Sequence, residues 1–128
     1  MIPTTKLRRY TDKRGYLVEN TDPRIVTASK HFLFTTTAPG IVRGNHYHTH
    51  KIEWFCILKG KCRFVTEHIK TKKREEVIIT DKDDIIFQTE PLVAHAMENV
   101  GDTEMIFFGF VNEVLDKKEP DTFPYKVI

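Results

Sequence analysis

From residue 6 to residue 111 the sequence is a succession of short apolar or alternating runs, each cut off by a turn signal. No long segment repeats its apolar residues at the helical period. Residues 6–10 and 16–19 flank Asp12-Lys13-Arg14-Gly15, a hairpin signature in which the glycine supplies the special backbone angle. Asp22-Pro23 predicts a turn. Residues 31–36 alternate aromatic and polar side chains before Ala38-Pro39-Gly40 stops them. Strands are also expected over 52–58, 62–68, 75–80, 84–88, 94–99 and 104–111, with turns at Lys59-Gly60 and Thr89-Glu90-Pro91. Nine or ten such strands close into a sandwich or barrel. The expectation is an all-β chain, one domain over residues 1–128, with the polar, proline-punctuated residues 112–128 wrapped around the outside.

The totals restrict partners rather than fold. A net charge of +2 is too small to argue for nucleic acid or an anionic membrane. The one basic cluster, Lys70-Thr71-Lys72-Lys73-Arg74, runs straight into Glu75-Glu76 and reads as a solvated hairpin turn. Cys56 and Cys62 make no disulfide framework and read as small core residues. The N-terminus carries no apolar leader and no run approaches membrane-spanning length, which predicts a cytoplasmic, reduced protein.

Chemistry concentrates in Arg43-Gly44-Asn45-His46-Tyr47-His48-Thr49-His50-Lys51-Ile52-Glu53. On a strand His46, His48 and His50 would share one face. Glu53 joins that face only if the chain turns around residues 49–52. Imidazole and carboxylate are ligands for a divalent transition metal.

The anchors Gly40, His46, His48, Glu53 and Gly60, at spacings of five, one, four and six intervening residues, resemble the first motif of the cupin superfamily. Pro91, His95 and Asn99 resemble the second, although Pro91 stands one residue closer to the histidine than usual and the intervening glycine is missing. That resemblance implies a double-stranded β-helix, or jelly-roll barrel, with His46, His48, Glu53 and His95 as metal ligands. The implied cofactor is zinc, with iron, manganese or nickel as alternatives. Several cupin epimerases and isomerases work without metal, and there the histidines act directly as acid and base.

Within the cupins, Arg43 to His48, Lys51 and Glu53, preceded by Pro39-Gly40-Ile41-Val42, are similar to the C-terminal cupin domain of bifunctional capsular-polysaccharide reductase/epimerases. So is Asn112-Glu113-Val114-Leu115-Asp116 followed by Pro120-Asp121-Thr122. The likeness covers about residues 32–125, and the 128 residues hold no counterpart of the reductase domain. More distantly the Arg-Gly-x-His stretch resembles dTDP-4-dehydrorhamnose 3,5-epimerases and sugar-nucleotide 3,4-ketoisomerases. The common implication is an epimerase for a nucleotide-linked 4-keto-6-deoxy sugar of surface polysaccharide, working by proton abstraction α to the C4 ketone.

On that reading His46 and His48 are candidate acid/base residues as well as ligands. His50, outside the cupin spacing, is a mobile base or an exposed loop histidine. Arg43 is expected on the substrate phosphate and Lys51 as a second cationic or catalytic group, against surface solvation for both. Tyr47 should point away from the histidines. Tyr16 or Tyr125 is a candidate acid, and Trp54 and Phe55 should go to opposite faces. Asn99 should satisfy a turn, and Gly40, Gly44 and Gly60 serve backbone geometry. Two rivals stay open: a non-catalytic sugar- or nucleotide-binding cupin, including a partner for a separate reductase, and an iron-dependent dioxygenase with the same ligand set. A homodimer is expected from the cupin habit.

Overall fold

The computed structural model describes residues 2–128. Among these residues twelve strands and one short helix follow in the order β1 (Thr4–Lys6), β2 (Arg8–Asp12), β3 (Gly15–Glu19), α1 (Pro23–Ala28), β4 (His31–Thr37), β5 (Val42–Tyr47), β6 (Glu53–Lys59), β7 (Lys61–His68), β8 (Arg74–Thr80), β9 (Ile85–Thr89), β10 (Val93–Asn99), β11 (Met105–Val111) and β12 (Phe123–Pro124). One five-stranded sheet runs β1-β9-β6-β11-β4 and the other β12-β5-β10-β7-β8, while β2 and β3 form a separate hairpin. The pairings are antiparallel. This is the expected jelly-roll barrel, with two strands more than the sequence predicted because β1 and β12 are only three and two residues long.

Alternation decides what lies between the sheets. Met105, Phe107 and Val111 of β11 are buried, whereas Ile106, Phe108 and Phe110 turn outward. Phe55, Ile57, Cys62, Phe64, Ile79, Phe87, Met97, Met105 and Phe107 form one continuous core at one end of the barrel. Phe64 and Phe87 are wholly buried with rings 4.7 Å apart. Each such ring is worth about 1.5–3 kcal/mol on burial, whereas a solvent-screened surface ion pair such as Arg14–Asp12 adds little. Hydrophobic packing therefore fixes the barrel, and its other end is free to carry polar groups.

Trp54 and Phe55 do go to opposite faces: Phe55 inward, Trp54 outward against Leu7, Ile25 and Ile86. Both cysteines are free, and burial pushes the Cys56 thiol up to about 11 and the Cys62 thiol up to about 12. Lys70 to Arg74 lie exposed where β7 turns into β8. Among the described residues no helix is long and apolar enough to cross a membrane.

One local expectation is corrected. Asp22-Pro23 begins a helix, not a simple turn. The Asp22 carboxylate accepts from Arg24 N at 3.0 Å and Pro23 opens the first turn, a standard start for a helix. Only Ile25 of its six residues is buried, so there was no periodicity to read.

Candidate functional site

Strand β5 carries the first ligand candidate, and a bulge aims it. His46 stands opposite His95, but Ala96 stands opposite Gly44, which leaves Asn45 as an extra residue. An inserted residue reverses the alternation that follows it. Val42 accordingly packs outside the barrel, beside Val65, Ala94 and Ala96, while His46, of the same parity, points in. Gly44 is required there, because a Cβ would lie 2.8 Å from the His95 carbonyl oxygen and the backbone has φ +95°. Tyr47 turns outward as expected and stacks on Phe123, ring centroids 5.3 Å apart.

Beyond Tyr47 the strand ends and the chain turns, bringing Glu53 back to the histidines. The turn is held from outside by Asp121. Its Oδ1 accepts from Thr49 N at 2.9 Å and Thr49 Oγ1 at 2.5 Å, and its Oδ2 from His50 N at 3.0 Å and Lys51 N at 3.1 Å. Burial works against this carboxylate, yet these donors hold it far below the usual carboxylate range. The segment after Asp121 continues the grip. Phe123 and Pro124 pair with Tyr47 and His46, and Asn45 Oδ1 accepts from Val127 N and Ile128 N.

Four side chains meet inside. The rings of His46 and His48 are 5.0 Å apart, those of His46 and His95 4.8 Å, and those of His48 and His95 5.6 Å. Glu53 Oε1 lies 2.7 Å from His48 Nε2 and 3.4 Å from His95 Nε2. Burial lowers the pKa of His46, and lowers that of the wholly buried His95 to about 4. Burial also opposes charge on His48 and Glu53, but their mutual hydrogen bond prevails, raising the imidazole and lowering the carboxyl.

The donor set fits a divalent metal, and His48 supplies the test. Its Nδ1 faces the Asp121 carbonyl oxygen at 2.6 Å, which can only accept, so Nδ1 carries the hydrogen. Its Nε2 then faces a carboxylate oxygen, which calls for either a second proton or a cation between them. Outer hydrogen bonding of the Nδ1 type is what orients a ligating histidine. The four donor atoms lie within 4.8 Å of one another. Metal–nitrogen and metal–oxygen bonds of about 2.0–2.2 Å place ligand atoms roughly 3–4 Å apart, so small side-chain rotations close the shell.

The remaining predicted site residues lie elsewhere. His50 leaves the strand face because alternation stops at Tyr47; its ring is exposed, and Nδ1 meets Glu113. Lys51 is buried, and its Nζ donates to the Pro120 carbonyl at 2.7 Å. Arg43 stands opposite Met97, the next inward pair from His46 and His95. It donates to Thr37 Oγ1 and the Thr36 carbonyl across the seam between the sheets. Tyr125 donates to Glu67 outside the barrel and Tyr16 lies under Arg9, so neither joins the cluster. Asn99 serves its turn, donating to the Thr37 and Thr103 carbonyls and accepting from Gly101 N. Asp121 is the residue that sequence reasoning missed; only its place in the resembling Pro120-Asp121-Thr122 stretch marked it.

Comparison with known proteins agrees with this picture. The family described as the polysaccharide biosynthesis C-terminal domain matches residues 10–123. A UDP-2-acetamido-2,6-beta-L-arabino-hexul-4-ose reductase of Pseudomonas aeruginosa is 37% identical over 119 residues, which are 92% of this chain and 31% of that protein. The capsular polysaccharide assembling protein CapF from Staphylococcus aureus superposes with a TM-score of 0.75 at 27% identity, over 94% of this chain and 34% of that one. QdtA, a sugar 3,4-ketoisomerase from Thermoanaerobacterium thermosaccharolyticum solved with TDP, gives a TM-score of 0.79 at 18% identity, over 95% and 86% of the two chains, a likeness of fold. The chain thus spans about a third of the length of the first two relatives.

Proposed function

The chain belongs to the family of polysaccharide biosynthesis C-terminal domains, and from that premise we propose that it epimerises a nucleotide-linked 4-keto-6-deoxy sugar of surface polysaccharide. The reading includes a divalent metal, zinc first, held by His46, His48, Glu53 and His95. The observation that carries it is the His48 imidazole, fixed by a carbonyl on one side and facing the Glu53 carboxylate on the other. The name of the Pseudomonas relative, a reductase of a UDP-linked hexul-4-ose, supports the substrate class.

A ketone at C4 acidifies the proton on C3. Removing it needs a base, a stabilised enolate oxygen and a donor for the return step. When bound, the metal supplies a Lewis acid for the ketone oxygen. The chain supplies the rest. Asp121 and the turn it grips hold His48 and Glu53 in place, and the packed aromatic end of the barrel closes off water from below. Among the described residues Arg43 Nη1 meets no protein acceptor, and this guanidinium is assigned to the diphosphate, which its fork suits.

The opposed pKa shifts favour a second reading, without metal. His46, whose neutral form burial favours, is then the base, and His48, whose protonated form the Glu53 hydrogen bond favours, the acid, with rings 5.0 Å apart. His46 cannot serve both readings, since coordination commits its nitrogen.

One experiment separates them: proton NMR of UDP- and dTDP-4-keto-6-deoxyhexoses incubated with the protein in D₂O, with and without chelator. Deuterium wash-in at C3 that chelator abolishes is the expected result. Wash-in that survives chelator selects the metal-free pair. No wash-in on any substrate sinks the epimerase and leaves a sugar-nucleotide-binding cupin or a partner of a separate reductase.

A further inference from the structure

Among the described residues three buried side-chain atoms have no hydrogen-bond partner: Thr35 Oγ1, Thr89 Oγ1 and His95 Nδ1. An unpaired buried donor is a cost to the fold, so each needs an account. Thr89 is 1% exposed and stands directly opposite Glu53 in the β6–β9 ladder. Directly opposed side chains share a face of the sheet, with Cβ atoms about 4.5–5.5 Å apart. Glu53 turns Oε1 toward both His48 Nε2 and His95 Nε2, while its Oε2 accepts no hydrogen bond from the described residues. An unpaired hydroxyl and an unpaired carboxylate oxygen are therefore cross-strand neighbours at the edge of the candidate metal cluster.

We propose that Thr89 is a positioning residue for Glu53, its hydroxyl donating to Oε2 when Oε1 and the three imidazoles hold a metal. The inference rests on the metal reading of the site. A carboxylate gripped by only one oxygen is free to swing, and an outer hydrogen bond on the other oxygen removes that freedom. Threonine suits this position because its branched Cβ restricts χ1 and strand β9 fixes its backbone. Without a cation the hydroxyl is a cost to the fold, and with one it becomes a contribution to affinity. This opposition in sign distinguishes the role from ordinary packing.

The test compares Thr89→Val, which keeps the branched shape and removes the hydroxyl, with Thr89→Ser, which keeps the hydroxyl. Two quantities are measured on the purified full chain: zinc affinity, by competition with a chromophoric chelator, and the Tm of chelator-treated protein. Thr89→Val is expected to weaken zinc binding by about 10–100-fold, the usual effect of losing an outer partner of a metal ligand. Its Tm in chelator should be equal to or above that of the wild type, and Thr89→Ser, which keeps the donor without the branch, should bind zinc more tightly than Thr89→Val. Unchanged zinc affinity in Thr89→Val overturns the inference while leaving the metal reading intact. So does a Tm loss in chelator, which would make Thr89 a packing residue. A wild-type chain that binds no zinc overturns the metal reading itself, and the Thr89 assignment with it.

Discussion

Asp121 receives four donors on its two oxygens, three of them backbone N–H groups of residues 49–51. Asp121→Asn removes the charge and half of that accepting capacity, and is expected to cost about 1.5–3 kcal/mol at pH 7, the range for hydrogen bonds to a charged group. The pH dependence has a definite sign. Because the folded-state pKa is depressed, the stabilisation is fully present above the unfolded value of about 4. It declines as the pH falls below that value and is gone once the pH passes through the folded one. Urea denaturation of wild type and Asp121→Asn at pH 7, 5 and 3 checks it. A constant gap between pH 7 and 5 that narrows at 3 is expected, and a gap unchanged at 3 would rule out the carboxylate as its source. His46, His48, Glu53 and His95 could be grouped from the sequence because their spacings resemble the cupin motifs, and the structure brings the four side chains together. Asp121 could not. Its partners are backbone groups about seventy positions away, and those leave no mark on residue type. Of the two readings of His50, the structure shows the exposed loop histidine, because strand alternation stops at Tyr47.

Among the elements, β6, β11, β10 and β7 are hydrogen-bonded on both sides and contribute most of the core, whereas β2 and β3 pair only with each other. The hairpin is tied to the barrel by Arg9, which meets Asp84 and the Asp81 carbonyl at 2.8 Å each, and by Val18 packed against the cluster of Leu7, Ile25, Trp54 and Ile86. Opening that little buried area needs far less free energy than opening the barrel. Amide hydrogen exchange should therefore be fastest in residues 9–18 and slowest in β7 and β10; comparable protection in the hairpin would show that it docks more firmly than these contacts account for. The long strands were legible because their residues either alternate, as in β4 and β11, or run together where both faces are covered, as in β6. The short ones had too few residues to alternate. In β12 one of the two residues is Pro124, with no N–H to give a ladder, which confines such a strand to a sheet edge and hides it from propensity. The bulge at Gly44-Asn45 was visible only as a glycine. What makes it obligatory is the His95 carbonyl, from a strand about fifty positions on.

At the scale of the whole molecule, the outer face of the β1-β9-β6-β11-β4 sheet is aromatic. Phe32 and Phe34 are 64% and 67% exposed on the edge strand β4, Phe32 stacks on Phe108 at 5.6 Å, and Phe108 meets Phe110 at 5.0 Å. Beside them runs an apolar groove of about 290 Å³ lined by Leu7, Val18, Cys56, Ile86, Phe108 and Phe110. Apolar patches of this kind mark interaction surfaces, and pairing two copies across β4 would cover both the patch and the open strand edge. A homodimer is the expected outcome: light scattering should give twice the 15.0 kDa chain mass, and Phe34→Glu should return it to 15.0 kDa. A monomeric wild type would remove the dimer; a dimeric Phe34→Glu would move its interface elsewhere. The grip of residues 121–128 on β5 also sets an order of events during synthesis. All four ligand candidates, His46 to His95, are synthesised before Asp121, and at about 5–20 residues per second the interval after His95 lasts seconds. A nascent chain in that interval has its histidines but no carbonyl for His48 and no acceptor for the 49–51 amides. The cluster therefore lacks its outer partners until strands β1 to β11 have all been made.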